Sequence, residues 1–189
     1  MDSLARLFGS LARVKLLRLF MFNRTETLSL ADIAKRAKLS REITRAELQK
    51  LFHTGLIERR GKGHRASYRV NQRYSHLEAL AAFVRSTTSI SPANLLRLLK
   101  KAGNLRLVVL SGVFTGTIES GVDLLIVGDR LHERALRAAV YAIEAELGRE
   151  LRYASFTTDD FNYRLGIYDR LIRDIFDYPH QAILDRTRA

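Results

Sequence analysis

LSLADIAKRAKLSREITRAELQKLFHTGLIERR, residues 28–60, is the stretch that decides how the first half of this chain folds. Ser29 is placed to cap a helix over Leu30 to Lys38, because its side-chain oxygen can accept from a first-turn amide that has no partner within the helix. In that helix Leu30, Ile33, Ala34 and Ala37 recur at the spacing of one buried face, with Lys35, Arg36 and Lys38 on the other. Leu39 and Ser40 make a tight connection, and Ser40 caps a further helix running to about His53. There Ile43, Leu48 and Leu51 or Phe52 are expected to pack inward, leaving Arg41, Thr44, Arg45, Gln49 and Lys50 outward. Gly55 supplies a left-handed stop, and Leu56 to Arg60 reads as a strand.

Gly9 and Ser10 set a breaker and a cap before Leu11 to Phe20, a core-facing helix, and Asn23 to Thr27 is a polar turn. On the other side, Gly61 to Arg65 is a basic, glycine-bearing tip. Ala66 to Val70 alternates as a returning strand, so the segment forms a hairpin. Tyr74 to Arg85 carries Leu77, Leu80, Ala81 and Val84 at helical spacing. Periodicity then ends in Ser86 to Pro92, where a domain boundary is expected.

At 189 residues and 47% hydrophobic, the chain can form two small domains with a core each. No run of 18 apolar residues occurs, and Arg13, Lys15 and Arg18 interrupt the longest candidate, so no membrane span is expected. The N-terminus lacks the pattern of a secretory signal, and cytoplasm is the default location. With no cysteine, disulfides and thiolate metal sites are excluded. The net charge of +12 is unevenly divided: residues 1–88 hold 18 Lys and Arg against 7 Asp and Glu, or +11, and residues 89–189 hold 14 against 13, or +1. A basic module joined to a near-neutral one points to a polyanionic partner, because Lys and Arg release condensed counterions when they neutralise phosphates. Charge alone leaves a merely solvated basic face as the alternative.

Helix, helix, tight turn, helix and basic hairpin together resemble winged helix-turn-helix regulators of the ArsR/MarR type, over about residues 4–72 and most strongly in residues 28–60. The resemblance implies that the third helix enters the major groove while the wing touches backbone or minor groove. Ser40, Arg41, Thr44, Arg45 and Lys50 would then face double-stranded DNA from the helix, and Arg59, Arg60, Lys62, His64 and Arg65 from the wing. It also implies a homodimer reading two half-sites. Residues 73–91 would be a linker helix and polar linker that serves dimerisation or packs on the second domain. Winged helices also bind proteins, so a protein partner is the competing reading.

In residues 92–189, Pro92 stands at the first position of a helix capped by Ser91 and stopped by Gly103. Leu105 to Leu110 and Val122 to Val127 are nearly continuous apolar runs, as in strands buried on both faces. Arg130 to Leu147 is a long amphipathic helix ended by Gly148, and Leu151 to Phe156 is a third strand. Helical segments near Asp159 to Leu165 and Tyr168 to Phe176 complete an α/β domain.

This order, over roughly residues 92–176, resembles the minimal nucleotidyltransferase domains. The resemblance implies a glycine-serine loop that holds nucleotide phosphates, an Asp-x-Asp pair that binds two divalent metals, and a third carboxylate on a later strand. SGVFTG at 111–116 and SGVDLLIV at 120–127 match in part. The loop pair is inverted to Ser111-Gly112, Gly116 remains, and the acidic pair has become Gly121-Val122-Asp123. The third strand, LRYASF, has no carboxylate. A hard divalent cation is poorly held by one carboxylate, so the expectation is a degenerate domain with no catalytic residues, no enzymatic activity and no required cofactor or metal. Any nucleotide or Mg²⁺ it took would be held by Ser111, Gly112, Thr115, Gly116 and Asp123. FGSLAR at 8–13 matches the transferase loop more closely but reads as helix capping. Asp159 and Asp160 open a helix, where carboxylates favour the positive end of its dipole, and His180 reads as structural.

The expected fold class is therefore an α+β winged helix-turn-helix domain followed by a small α/β nucleotidyltransferase-like domain. The expected function is a DNA-binding transcriptional regulator whose second half assists dimerisation or senses a ligand. Two other readings stay open: an active nucleotidyltransferase using Asp123 with Glu119 or Asp129, and an antitoxin-like protein that neutralises a partner and represses its own operon.

Overall fold

The chain is α+β with two small sheets. The computed structural model describes residues 3–61, 63–117 and 120–187, without the side chains of Ser3 and His64. It divides into two units, Met1–Ile90 with Tyr141–Arg149, and Ser91–Val140 with Glu150–Ala189.

The first unit contains α1 (Ser3–Leu7), α2 (Leu11–Phe22), β1 (Leu28–Ser29), α3 (Leu30–Ala37), α4 (Arg41–His53), β2 (Ile57–Arg60), β3 (Ser67–Val70) and α5 (Leu77–Thr87). Three serines set the helix starts: Ser10 accepts from the Arg13 amide, Ser29 from Asp32 and Ser40 from Ile43. Lys38 closes α3 with a φ of 51°, and this left-handed residue turns the chain into α4. The strands form an antiparallel sheet in the order β1-β3-β2. β1, with Leu28 opposite Tyr68 and Ser29 opposite Ser67, was not anticipated. Two residues are too few to show an alternating pattern.

Leu16, Leu19, Phe20, Ile33, Leu48, Ile57, Val70, Leu77, Ala81 and Val84 belong to one core. The apolar face of α5 is thus used within the first unit. Every α2 residue from Val14 to Met21 is buried, including Lys15 and Arg18. Buried cations need partners, and these come from far along the chain. Lys15 Nζ lies 2.9 Å from Glu146 Oε1, and Arg18 Nη1 donates to the Glu146 carbonyl at 3.0 Å. Asn23 Nδ2 donates to the Gly148 carbonyl at 2.8 Å.

The second unit contains α6 (Pro92–Leu99), β4 (Asn104–Leu110), β5 (Leu124–Asp129), the first half of α7 (Glu133–Leu147), β6 (Tyr153–Phe156), α8 (Thr158–Gly166), α9 (Arg170–Asp177) and β7 (Gln181–Asp185). Its sheet runs β6-β5-β4-β7, with β5 and β6 parallel and the other two pairings antiparallel. The two central strands, β4 and β5, are the ones whose apolar runs are nearly continuous. β7 lies at an edge, and its mostly exposed side chains carry no alternating signal. Phe161, Ile172 and Ile175 from α8 and α9 pack with Leu107, Val109, Leu125 and Val127. No helix among the described residues is long and apolar enough to cross a membrane.

Candidate functional site

On α4, Arg41, Arg45 and Gln49 are exposed at successive turns, along one flank of the buried stripe. Ser40 is exposed but serves as the cap. Thr44 corrects the outward reading. It is fully buried, and its hydroxyl donates to the Ser40 carbonyl at 2.8 Å, so it is withheld from any ligand. Burial of a threonine at this position is tolerated because that local hydrogen bond satisfies its hydroxyl. Ile43 and Phe52 are exposed instead, so the inward stripe is Thr44, Glu47, Leu48 and Leu51.

Lys50 is exposed too, but it lies about 140° around the helix from Arg45 at 100° per residue. Its Nζ is 2.9 Å from Glu47 Oε1, while Arg13 Nε is 2.9 Å from Glu47 Oε2. Burial pushes the Glu47 carboxyl up, but hydrogen bonds from Lys50 and Arg13 outweigh it and hold the group below its ordinary value.

On the hairpin, Arg59, Arg60 and Arg65 are exposed. Lys62 and the His64 side chain lie outside the described residues. Among the described residues, Arg41, Arg45, Arg59, Arg60 and Arg65 make no ion pair. In the same unit Glu26, Glu47, Glu58, Glu78 and Glu146 are taken by Arg36, Arg13, Arg69, Arg24 and Lys15. These acids are engaged by cations other than those five arginines, which outnumber Glu42, the one exposed acid on α4 among the described residues.

In the second unit the loop after β4 is organised around Asp123, which is only 1% exposed. Asp123 Oδ1 accepts from the Val113 amide at 3.0 Å and Oδ2 from the Arg152 amide at 2.9 Å. The Arg152 guanidinium adds bonds of 3.2 Å to Oδ2 and 2.9 Å to Oδ1. Burial alone would raise the carboxyl, yet the Arg152 side chain and the two amides hold it below its ordinary value. Gly112 has a φ of 52°, and a Cβ there would meet Asp123 Oδ1 at 2.2 Å. The glycine therefore makes room for the carboxylate.

Ser111 is buried, with its Oγ 2.8 Å from Ser120 Oγ, which in turn donates to the Val122 carbonyl. Thr115 donates to the Gly112 carbonyl at 3.2 Å, and Gly116 is exposed with a φ of 78°. Ser111, Gly112 and Asp123 are thus brought together, but the Ser111 hydroxyl is engaged by Ser120, the Gly112 carbonyl by Thr115, and the Asp123 carboxylate by Val113 and Arg152. Nothing in the sequence flagged Arg152, because the partnership depends on β5 and β6 lying side by side.

Comparison with known protein families, curated proteins and solved structures returns no match. Of the acids offered for an active transferase, Glu119 lies outside the described residues. Asp129 ends β5, six residues from Asp123 and therefore roughly 20 Å away at 3.3 Å per residue. Two-metal sites need their cations about 4 Å apart. Asp129 is engaged by Thr158 Oγ1 at 2.7 Å and Arg106 Nε at 3.1 Å, which lower its pKa in that order.

Proposed function

We propose that the first unit is a winged helix-turn-helix module that binds duplex DNA, and that the chain is a transcriptional regulator. In this reading α3, the Lys38 turn and α4 form the helix-turn-helix, and β2 and β3 form the wing. The observation that carries it is the set of five exposed arginines on α4 and the hairpin, unpaired among the described residues, in a unit where Arg13, Lys15, Arg24, Arg36, Lys50 and Arg69 have acidic partners. Arginine and glutamine at successive turns suit base edges and phosphates in the major groove, and the hairpin arginines suit the flanking backbone. The second unit then serves as a degenerate nucleotidyltransferase-like domain. Its helix, antiparallel strands, helix and parallel strand support that likeness, while Asp123 acts as a brace for its loop.

Fluorescence anisotropy of the full chain with its own upstream DNA and a scrambled duplex, across a salt series and with or without ATP and magnesium, tests the reading. If all five arginines meet phosphate, the salt slope is about −4.5 per protomer, a loss of roughly 500-fold in affinity between 50 and 200 mM salt. Preference for the upstream fragment that survives moderate salt supports a sequence-specific regulator. Equal binding to both duplexes that collapses with salt refutes it.

A further inference from the structure

Six of the 13 exposed large hydrophobic residues among those described fall between Tyr163 and Tyr178: Tyr163, Leu165, Ile167, Tyr168, Leu171 and Tyr178. Tyr163, Leu165 and Leu171 are on the helix pair and Ile167, Tyr168 and Tyr178 at the helix ends, and apolar side chains so concentrated in one short segment mark a surface that meets another molecule. The pair is held firmly. Arg164 bonds to Asp160 on its own helix and to Asp169 at the start of α9, each at 3.1 Å, and its guanidinium lies 4.9 Å from the Phe156 ring centroid.

The charge order on α9 identifies the occupant. Ile172 and Ile175 point inward, and at 100° per residue the opposite face carries Arg170, Arg173, Asp174 and Asp177. Cations occupy the first half of the helix and anions the second. This opposes the helix dipole, which favours acids at the N-terminus and bases at the C-terminus, and Arg before Asp is the weaker order for a pair four residues apart. The intrahelical pairs are long, 4.0 Å for Arg170 with Asp174 and 3.7 Å for Arg173 with Asp177. Stability of the single helix does not account for such an order. A second copy of α9 packed antiparallel across a twofold axis does, because each basic half then faces an acidic half.

We infer that the chain forms a homodimer through α8 and α9 of the second unit, with the exposed apolar residues beside them filling the contact. The proposed reading of two DNA half-sites gives this dimer its use, and the inference rests on that reading for its purpose alone. The test is therefore made without DNA. The mass of the full chain is measured by light scattering at micromolar concentration for wild type, for Arg170→Asp with Arg173→Asp, and for Asp174→Arg with Asp177→Arg. Wild type is expected at twice the chain mass of 21.6 kDa, with dissociation at least ~10-fold weaker than in either variant, because like charges then oppose across the contact. Mixing the two variants is expected to restore a dimer. Acids in the first turn and bases in the last suit the dipole, so both variants keep their fold, checked by circular dichroism. A monomeric wild type, variants that dimerise as wild type does, or folded variants that fail to pair on mixing would each overturn the proposal.

Discussion

Replacing Asp123 by alanine removes the acceptor for two backbone amides and a guanidinium at once. The Val113 and Arg152 amides both point at a carboxylate that is 1% exposed. A buried donor left without a partner costs about 1–3 kcal/mol. The Arg152 side chain is about half exposed, so its charge rehydrates, and losing the ion pair adds at most about 1 kcal/mol. Both amide bonds are only part-buried, so each cost falls at the low end, and together these give roughly 3 kcal/mol. The second unit has about 90 residues, for which each kcal/mol lowers the melting temperature by about 4–8 °C, so Asp123→Ala is expected to melt roughly 12–24 °C lower. Calorimetry without nucleotide or metal measures this directly. Asp129→Ala, which loses partners at a more exposed site, serves as the control and is expected to melt much closer to wild type than Asp123→Ala does. If Asp123→Ala melts within a few degrees of wild type, the carboxylate is no brace. The role of the charge in the loop would then have to be sought in ligand binding.

Arg41→Ala with Arg45→Ala is expected to make the DNA salt slope about 1.8 units shallower, whereas Arg134→Ala with Arg137→Ala leaves it unchanged; equal effects in the anisotropy series would refute the recognition-helix reading. Thr44→Val should cost about 1 kcal/mol in denaturant unfolding, by loss of its bond to the Ser40 carbonyl, while DNA affinity stays within about twofold at equal folded concentration; a large affinity loss would restore Thr44 to the interface. Gly112→Ala is expected to destabilise as strongly as Asp123→Ala, since its Cβ would collide with Asp123 Oδ1, and a neutral result in the same calorimetry would contradict the packing. Glu47 and Asp123 both have folded pKa values below their ordinary ones of 4.5 and 3.8. Their contribution to stability is therefore complete above those values and is lost as pH falls through the lower folded ones. Melting temperature should hold on that account down to about pH 4.5 and drop below pH 4, less steeply in Asp123→Ala; an equal drop in that variant would remove Asp123 from the cause.

The capping serines, the α3 and α4 stripes and the two central strands of the second unit were legible because each is a local pattern. Ser40 followed by an apolar residue every three or four positions announces a helix without help from elsewhere. The facing of Thr44 and Ile43 was not legible. The two differ by 100° around α4, and only the position of the surrounding core decides which is covered. β1 and β7 were missed for a related reason: each becomes a strand through its neighbour, β3 or β4, and neither is long or alternating enough to declare itself. At the loop of the second unit, Asp123 was legible as a lone acid. Its partner Arg152 is 29 residues away, and the parallel pairing of β5 with β6 is what joins them.

The buried cations of α2 set an order of events for synthesis. Lys15 and Arg18 leave the ribosome early, but the Glu146 carboxylate and carbonyl that receive them follow more than 120 residues later. Between Ile90 and Arg149 translation needs roughly 3–12 s at ordinary rates. During that interval the contacts that Glu146 makes with Lys15 and Arg18 cannot form. A fragment ending at Ile90 would stay in that unfinished condition, with two cations seeking water through what should be a sealed core. The chain is thus made in one direction but closed in another, and its first module matures only after most of the second has been translated.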